Sequence, residues 1–264
     1  MGEAGRTVRL TLAYEGTELH GWQVQPGCAT VQGLLMDAAE RVLGGSVKIT
    51  GASRTDAGVH ALRQVASLRT RSAISLPILH RALNALLPAS VRVLEVCEAP
   101  PGFDARRWAQ GKRYAYLIDR GRQADPFLRR HAWHVPFPLD PAAMVAALRA
   151  VRGKHDFSAF CAAAGRERTP TCTIRSARIL TRRQLLAVCI SGDSFLHHMV
   201  RNLVGSLVEV GRQARPIDWM ADLLQGRDRT RAGPTAPAHG LVLVRVLYGP
   251  DAAVGPGAGH DDRG

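Results

Sequence analysis

Apolar residues alternate from Thr7 to Tyr14, with Val8, Leu10, Leu12 and Tyr14 on one side, which predicts a half-buried strand. Thr30 is a good helix N-cap, and Val31, Leu34, Leu35, Ala38, Ala39 and Val42 recur at helical spacing until Gly44-Gly45 stops the run. Val47 to Thr50 and Val59 to Leu68 read as two further strands. Leu76 to about Leu87 reads as a helix with Leu79, Leu83, Leu86 and Leu87 on its apolar side, and Val91 to Val96 alternates again. Strand, helix, strand, strand, helix, strand is the order of a ferredoxin-like α+β unit, with helices on one face of an antiparallel sheet and the other face free to bind.

The second half repeats this order loosely. Residues 123 to 138, with Pro126, Pro136 and Pro138, read as the connection between halves. Asp140 then caps a helix with Pro141 at its first position and Met144, Ala147, Leu148 and Val151 facing inwards. Thr173 to Leu180 and Gln184 to Ser191 predict a hairpin around Thr181-Arg182-Arg183. Leu196, Met199, Val200, Leu203, Val204, Leu207 and Val208 form a wide apolar face ending at Gly211, the mark of a buried helix. Pro216 opens another helix through Leu224, closed by Gly226, and Gly240 to Tyr248 is a last strand. These elements predict an N-terminal α+β half at 6–105 and a C-terminal α+β half at 106–248. The Gly, Pro, Ala and Asp tail, 249–264, is expected to be disordered.

Charge narrows the partner. With 35 Lys plus Arg against 22 Asp plus Glu among 264 residues, the net charge is +13, which points to a polyanion. Only Lys48, Lys112 and Lys154 are lysines, and arginine's planar fork suits phosphate while its face stacks on bases. Five scattered cysteines without a Cys-x-x-Cys pair read as reduced thiols of a cytoplasmic protein, not a disulfide frame or zinc site. No apolar run is long enough for a signal peptide or membrane span.

The chemistry concentrates in residues 51 to 61, Gly-Ala-Ser-Arg-Thr-Asp-Ala-Gly-Val-His-Ala, on the connection between two predicted strands. Arg54 and Asp56 are two apart, so an extended segment points both the same way, and a neighbouring guanidinium favours the ionised carboxylate that a nucleophile or base requires. An ordinary Asp-Gly turn with a solvated Arg54 is the bland alternative. Between residues 102 and 131, Arg106, Arg107, Lys112, Arg113, Arg120, Arg122, Arg129 and Arg130 interleave with Phe103, Trp108, Tyr114 and Tyr116, a pattern suited to looped or single-stranded RNA. A solvated edge strand is its alternative. The adjacent His197 and His198 do not suit a metal, because neighbours on a helix point about 100° apart.

Taken whole, the string from Gly51 to Ala61 resembles the signature of the tRNA pseudouridine synthase A family. Phe195-Leu196-His197-His198-Met199-Val200-Arg201-Asn202 resembles a second run of that family. Weaker matches fall in order between 6 and 248: His20-Gly21-Trp22-Gln23, Phe103-Asp104-Ala105-Arg106, Lys112-Arg113-Tyr114-Ala115-Tyr116, Asp156-Phe157-Ser158-Ala159-Phe160 and Gly240-Leu241. Arg107 and Trp108 depart from it. The resemblance implies two ferredoxin-like halves joined into a continuous, mainly antiparallel sheet with helices on one side and a basic central cleft. It implies isomerisation of uridine to pseudouridine at positions 38, 39 and 40 of the tRNA anticodon stem-loop, by a homodimer with no cofactor.

Residue by residue, the resemblance makes Asp56 the essential carboxylate. Tyr114 becomes the active-site tyrosine, Arg54 and Arg201 hold the target nucleotide and carboxylate, and Leu241 lines the base pocket. Phe103, Arg106, Lys112, Arg113, Arg166 and Arg168 fall to RNA contact, and Trp22 is either a partly buried aromatic or a contact near the RNA groove. Two rivals remain at this point: a non-catalytic RNA-binding protein on the same scaffold, and a nucleoside or glycoside hydrolase, which commonly pairs two carboxylates or uses a metal.

Overall fold

Alternation along the first strand sets up the first sheet. The structure is a computed structural model describing residues 5–162 and 169–249. The chain divides into two units, one running to Gln110 and taking up the residues from Val244, the other Gly111–Leu243.

In the first unit, β1 (Arg6–Tyr14) pairs antiparallel with β3 (His60–Thr70) and β4 (Val91–Glu98), and β2 (Lys48–Gly51) pairs antiparallel with β3. The resulting order is β4–β1–β3–β2. Helices α1 (Val31–Leu43) and α2 (Leu76–Leu86) make the two crossovers. Thr30 Oγ1 accepts the Gly33 N–H at 3.2 Å, and Gly44 closes α1 in the left-handed region. Leu10, Leu12, Leu35, Leu68, Leu79 and Leu83 are wholly buried, each worth about 1.5–3 kcal/mol of transfer free energy. Leu86 departs from expectation and faces out. The helix ends there and the extended Leu87 turns into the core in its place.

In the second unit, β5 (Ala109–Asp119) starts two residues before the division and pairs antiparallel with β9 (Leu185–Gly192). Beyond it lie β8 (Thr171–Arg182) and β7 (Gly153–Asp156), also antiparallel, while β6 (Trp133–His134) pairs parallel with β5. Helices α3 (Pro141–Leu148), α4 (Met199–Gly211) and α5 (Trp219–Gly226) complete the unit, and β10 (Leu241–Tyr248) crosses the division. Each unit is mixed α+β with mostly antiparallel strands. Among the described residues, no helix is long and apolar enough to cross a membrane.

Three boundaries differ from the sequence reading. The β8–β9 hairpin turns at Arg183-Gln184, because Arg183 adopts φ 53° and β8 runs on to Arg182, past its last apolar residue Leu180. Pro216 starts a turn that Trp219 N–H closes on its carbonyl at 3.2 Å, and α5 begins only then. Residues 123–138 belong inside the second unit. The buried carboxylate of Asp119 holds them there, accepting N–H bonds from Gly121 at 2.9 Å and Asp125 at 3.0 Å.

Candidate active site

Asp56 sits on the bend between β2 and β3, half-buried, two residues after the exposed Arg54. Gly58 supplies the left-handed φ of 77° that lets the chain turn, and Val59 N–H closes the turn on the Asp56 carbonyl at 3.2 Å. Polar side chains beneath brace it. The Tyr14 hydroxyl lies 2.8 Å from Thr55 Oγ1, and the wholly buried Gln64 bonds both the N–H and the carbonyl of Ser53, at 3.2 and 2.8 Å.

A second segment clamps the bend from outside. Trp22 N–H bonds the Thr55 carbonyl at 3.0 Å, Gly58 N–H bonds the Leu19 carbonyl at 3.2 Å, and Gly16 N–H bonds His60 Nδ1 at 2.9 Å. Trp22, read as either a partly buried aromatic or a contact near bound RNA, is wholly buried and packs its indole against Gly51. A Cβ at Gly51 would fall 2.3 Å from the indole, so this glycine is required for room and Gly58 for its dihedral. Asp56 therefore stands on a fixed backbone, as a positioned catalytic group requires.

In the second unit, Tyr114 lies mid-β5, buried, with the Phe195 ring edge-on at 5.1 Å. Asp193 fixes the turn leading to Phe195 by accepting N–H bonds from Thr173 at 2.9 Å and Ser194 at 2.5 Å. Burial alone would raise the Asp193 carboxyl, but the hydrogen bonds from Thr173 and Ser194 outweigh it and hold the group below the ordinary carboxylate range. Arg201 leaves the first turn of α4, where its Nε donates to the Ala236 carbonyl at 2.8 Å. Its charge also faces Tyr116, whose phenol burial raises well above the tyrosine range against that guanidinium, and whose hydroxyl donates to the Pro237 carbonyl at 2.7 Å. Leu241 opens β10 and is buried.

His197 and His198 precede α4 instead of lying on it, with His198 at φ 61° and the two rings 3.9 Å apart. The helical argument against a shared metal therefore does not hold, since the turn brings both imidazoles to one side.

Residues 11–106 and 147–249 match the family model described as tRNA pseudouridine synthase. The chain is 44% identical over 257 residues to the tRNA pseudouridine synthase A of Myxococcus xanthus, covering 96% of this chain and 97% of that protein. It is 43% identical over 243 residues to the tRNA pseudouridine synthase A of Moorella thermoacetica, covering 91% and 99%. The chain belongs to the tRNA pseudouridine synthase family. It is thus an isomerase by family, and the rival readings as a hydrolase or inert binding module have no finding in their favour.

Of the residues that family membership makes candidates for RNA contact, Arg106 and Arg113 are exposed and Lys112 half-buried. Phe103 is a correction: it is wholly buried, edge-on to Trp108 at 5.5 Å and 5.7 Å from Tyr248, so its ring is core in this structure and presents no face to a base. The departing Arg107 lies in a turn that Asp104 closes, its carboxylate accepting the Arg106 and Arg107 N–H groups at 2.9 Å. Arg166 and Arg168 lie outside the described residues, as do residues 250–264 of the tail. Sequence reasoning missed Tyr14, Thr55 and Gln64 as a support for the Asp56 bend. A glutamine inside the apolar run of β3 was the available signal.

Proposed function

We propose that this chain isomerises uridine to pseudouridine in tRNA, at positions 38, 39 and 40 of the anticodon stem-loop. The N1–C1′ bond breaks, the uracil turns, C5 bonds to C1′, C5 loses its proton and N1 gains one. No electrons are exchanged, so the reaction requires no redox cofactor. Asp56 acts at the ribose, as nucleophile or as base, and its placement at the tip of a braced bend is the observation that carries this reading.

Arg54 and Arg201 hold the carboxylate and the target nucleotide, Tyr114 faces the detached base and serves the C5 proton, and Leu241 lines the base pocket. Arg106, Lys112 and Arg113, with Arg166 and Arg168, contact phosphate. The active form is a homodimer in the cytoplasm. The five cysteines are scattered along the chain without a Cys-x-x-Cys pair, which suits a reducing compartment. Unmodified tRNA transcripts treated with the protein, then mapped by carbodiimide-stop primer extension, should show stops at 38 to 40. Stops elsewhere only, or none, would contradict the assignment.

A further inference from the structure

At the far end of β5 from its start, the second unit carries an open groove of about 460 Å³ lined by Arg120, Arg122, Phe137, Arg183, Gln184 and the chain from Pro136 to Leu139. No acidic residue lines it. Arg122, Arg183 and Phe137 are exposed, and the Arg212 guanidinium lies 5.6 Å from the Phe137 ring centroid, so positive charge also borders the aromatic. The Nε of Arg120 is buried and has no hydrogen-bond acceptor among the described residues, while its Nη2 donates to the Arg183 carbonyl at 3.0 Å.

The groove is built rather than incidental. Arg120 N–H bonds the Gln184 carbonyl at 2.8 Å, tying the end of β5 to the β8–β9 turn. The buried Asp119 carboxylate fixes Gly121 and Asp125, and His134 Nε2 lies 2.9 Å from the Gly121 carbonyl. The left-handed turn at Arg183 is thereby tied to Arg120, so the exposed Arg183 stays on the same side as Arg122.

We infer that this groove is a second RNA-binding site, taking a phosphodiester between Arg122 and Arg183 with a neighbouring base against Phe137. Forked guanidiniums beside an exposed ring, with no acidic residue among those lining the groove, match the phosphate and base faces of a polynucleotide. Tyr114 and Arg120 are six residues apart on and just after one strand, so the groove lies ~20 Å from the Tyr114 position, about six base-pair steps of duplex. It therefore holds RNA outside the target nucleotide's own loop. The inference rests on the reading of the chain as acting on tRNA, and it adds a contact that anchors the tRNA body while the anticodon arm reaches the chemistry.

The test is binding of the full-length Arg122→Gln/Arg183→Gln protein to unmodified whole tRNA and to an isolated anticodon stem-loop, at two salt concentrations. Whole-tRNA affinity should fall about tenfold or more, and the slope of log affinity against log salt should shrink by about 1. Affinity for the isolated stem-loop, and tritium release at saturating tRNA, should not change. Phe137→Ala should weaken whole-tRNA binding at least fivefold with an unchanged salt slope, by loss of stacking. Unaltered whole-tRNA affinity in both variants would overturn the site. So would a change in sedimentation from dimer to monomer, which would assign the groove to contact between copies. Failure of the wild type to release tritium would sink the proposed function alone, because the groove is judged by affinity.

Discussion

The Tyr14 hydroxyl rests 2.8 Å from Thr55 Oγ1, so the last residue of β1 supports the backbone one position before Asp56. Gln64 Nε2 approaches the same phenol at 3.3 Å, and Tyr14 thus links β1 and β3 under the bend. Tyr14→Phe should lower stability by about 1–3 kcal/mol, since it strands buried polar partners. The rate of uridine isomerisation should fall about 10- to 100-fold through misplacement of Asp56, with tRNA affinity unchanged. Single-turnover kinetics and urea unfolding check both halves. An unaltered rate would deny the brace its role.

Gly51→Ala should be far more damaging than its one methyl group implies. The new Cβ would meet the Trp22 indole at 2.3 Å, and this ring is wholly buried on a backbone whose Trp22 N–H is tied to the Thr55 carbonyl. Overpacking of this kind costs about 1–3 kcal/mol or more. Urea denaturation of the purified variant measures it.

Arg201→Lys should retain the charge and lose the Nε–H that donates to the Ala236 carbonyl. The expected result is a fall in kcat of about tenfold or more with a small change in KM. A rise in KM with kcat unchanged would assign Arg201 to substrate binding alone.

Thiol reactivity offers a pH test. Burial disfavours the thiolate, so the thiols of Cys172 and Cys189 are raised above 9.0, and at neutral pH less thiolate is present than in a free cysteine. Alkylation followed by mass spectrometry should be slower at pH 7 than for an exposed cysteine and should go on rising with pH beyond the range where an exposed thiol levels off. Fast labelling at pH 7 would contradict the packing of β8 and β9.

Asp193 gives the opposite sign. Its folded-state carboxyl lies below the ordinary value of 3.8, so its contribution to stability is present above that value and lost as pH falls through the folded one. Asp193→Asn should be less stable than wild type at pH 7, with the gap closing below about pH 4. Thermal melts across pH 3 to 7 read the convergence.

Much of this was legible in the chain itself. Period-two alternation and the Thr30 cap located β1 and α1 because both are set by neighbouring residues. The Asp56 bend was visible because Gly58 and the flanking strands are local too. What escaped was settled by contacts far apart in sequence. Phe103 reads as an aromatic beside arginines, yet Trp108 and Tyr248 enclose it. Trp22 is buried because Gly51, 29 positions on, leaves room for it. The histidine pair looked helical, and only the left-handed His198 shows that α4 starts one residue later.

The central claim is that the carboxylate of Asp56 performs the isomerisation. Bulk unmodified tRNA tritiated at uracil C5 should release tritium to water with the wild type and not with Asp56→Asn, while both proteins bind the tRNA with equal affinity. Release by Asp56→Asn at the wild-type rate, or none from either protein despite tight binding, would contradict it.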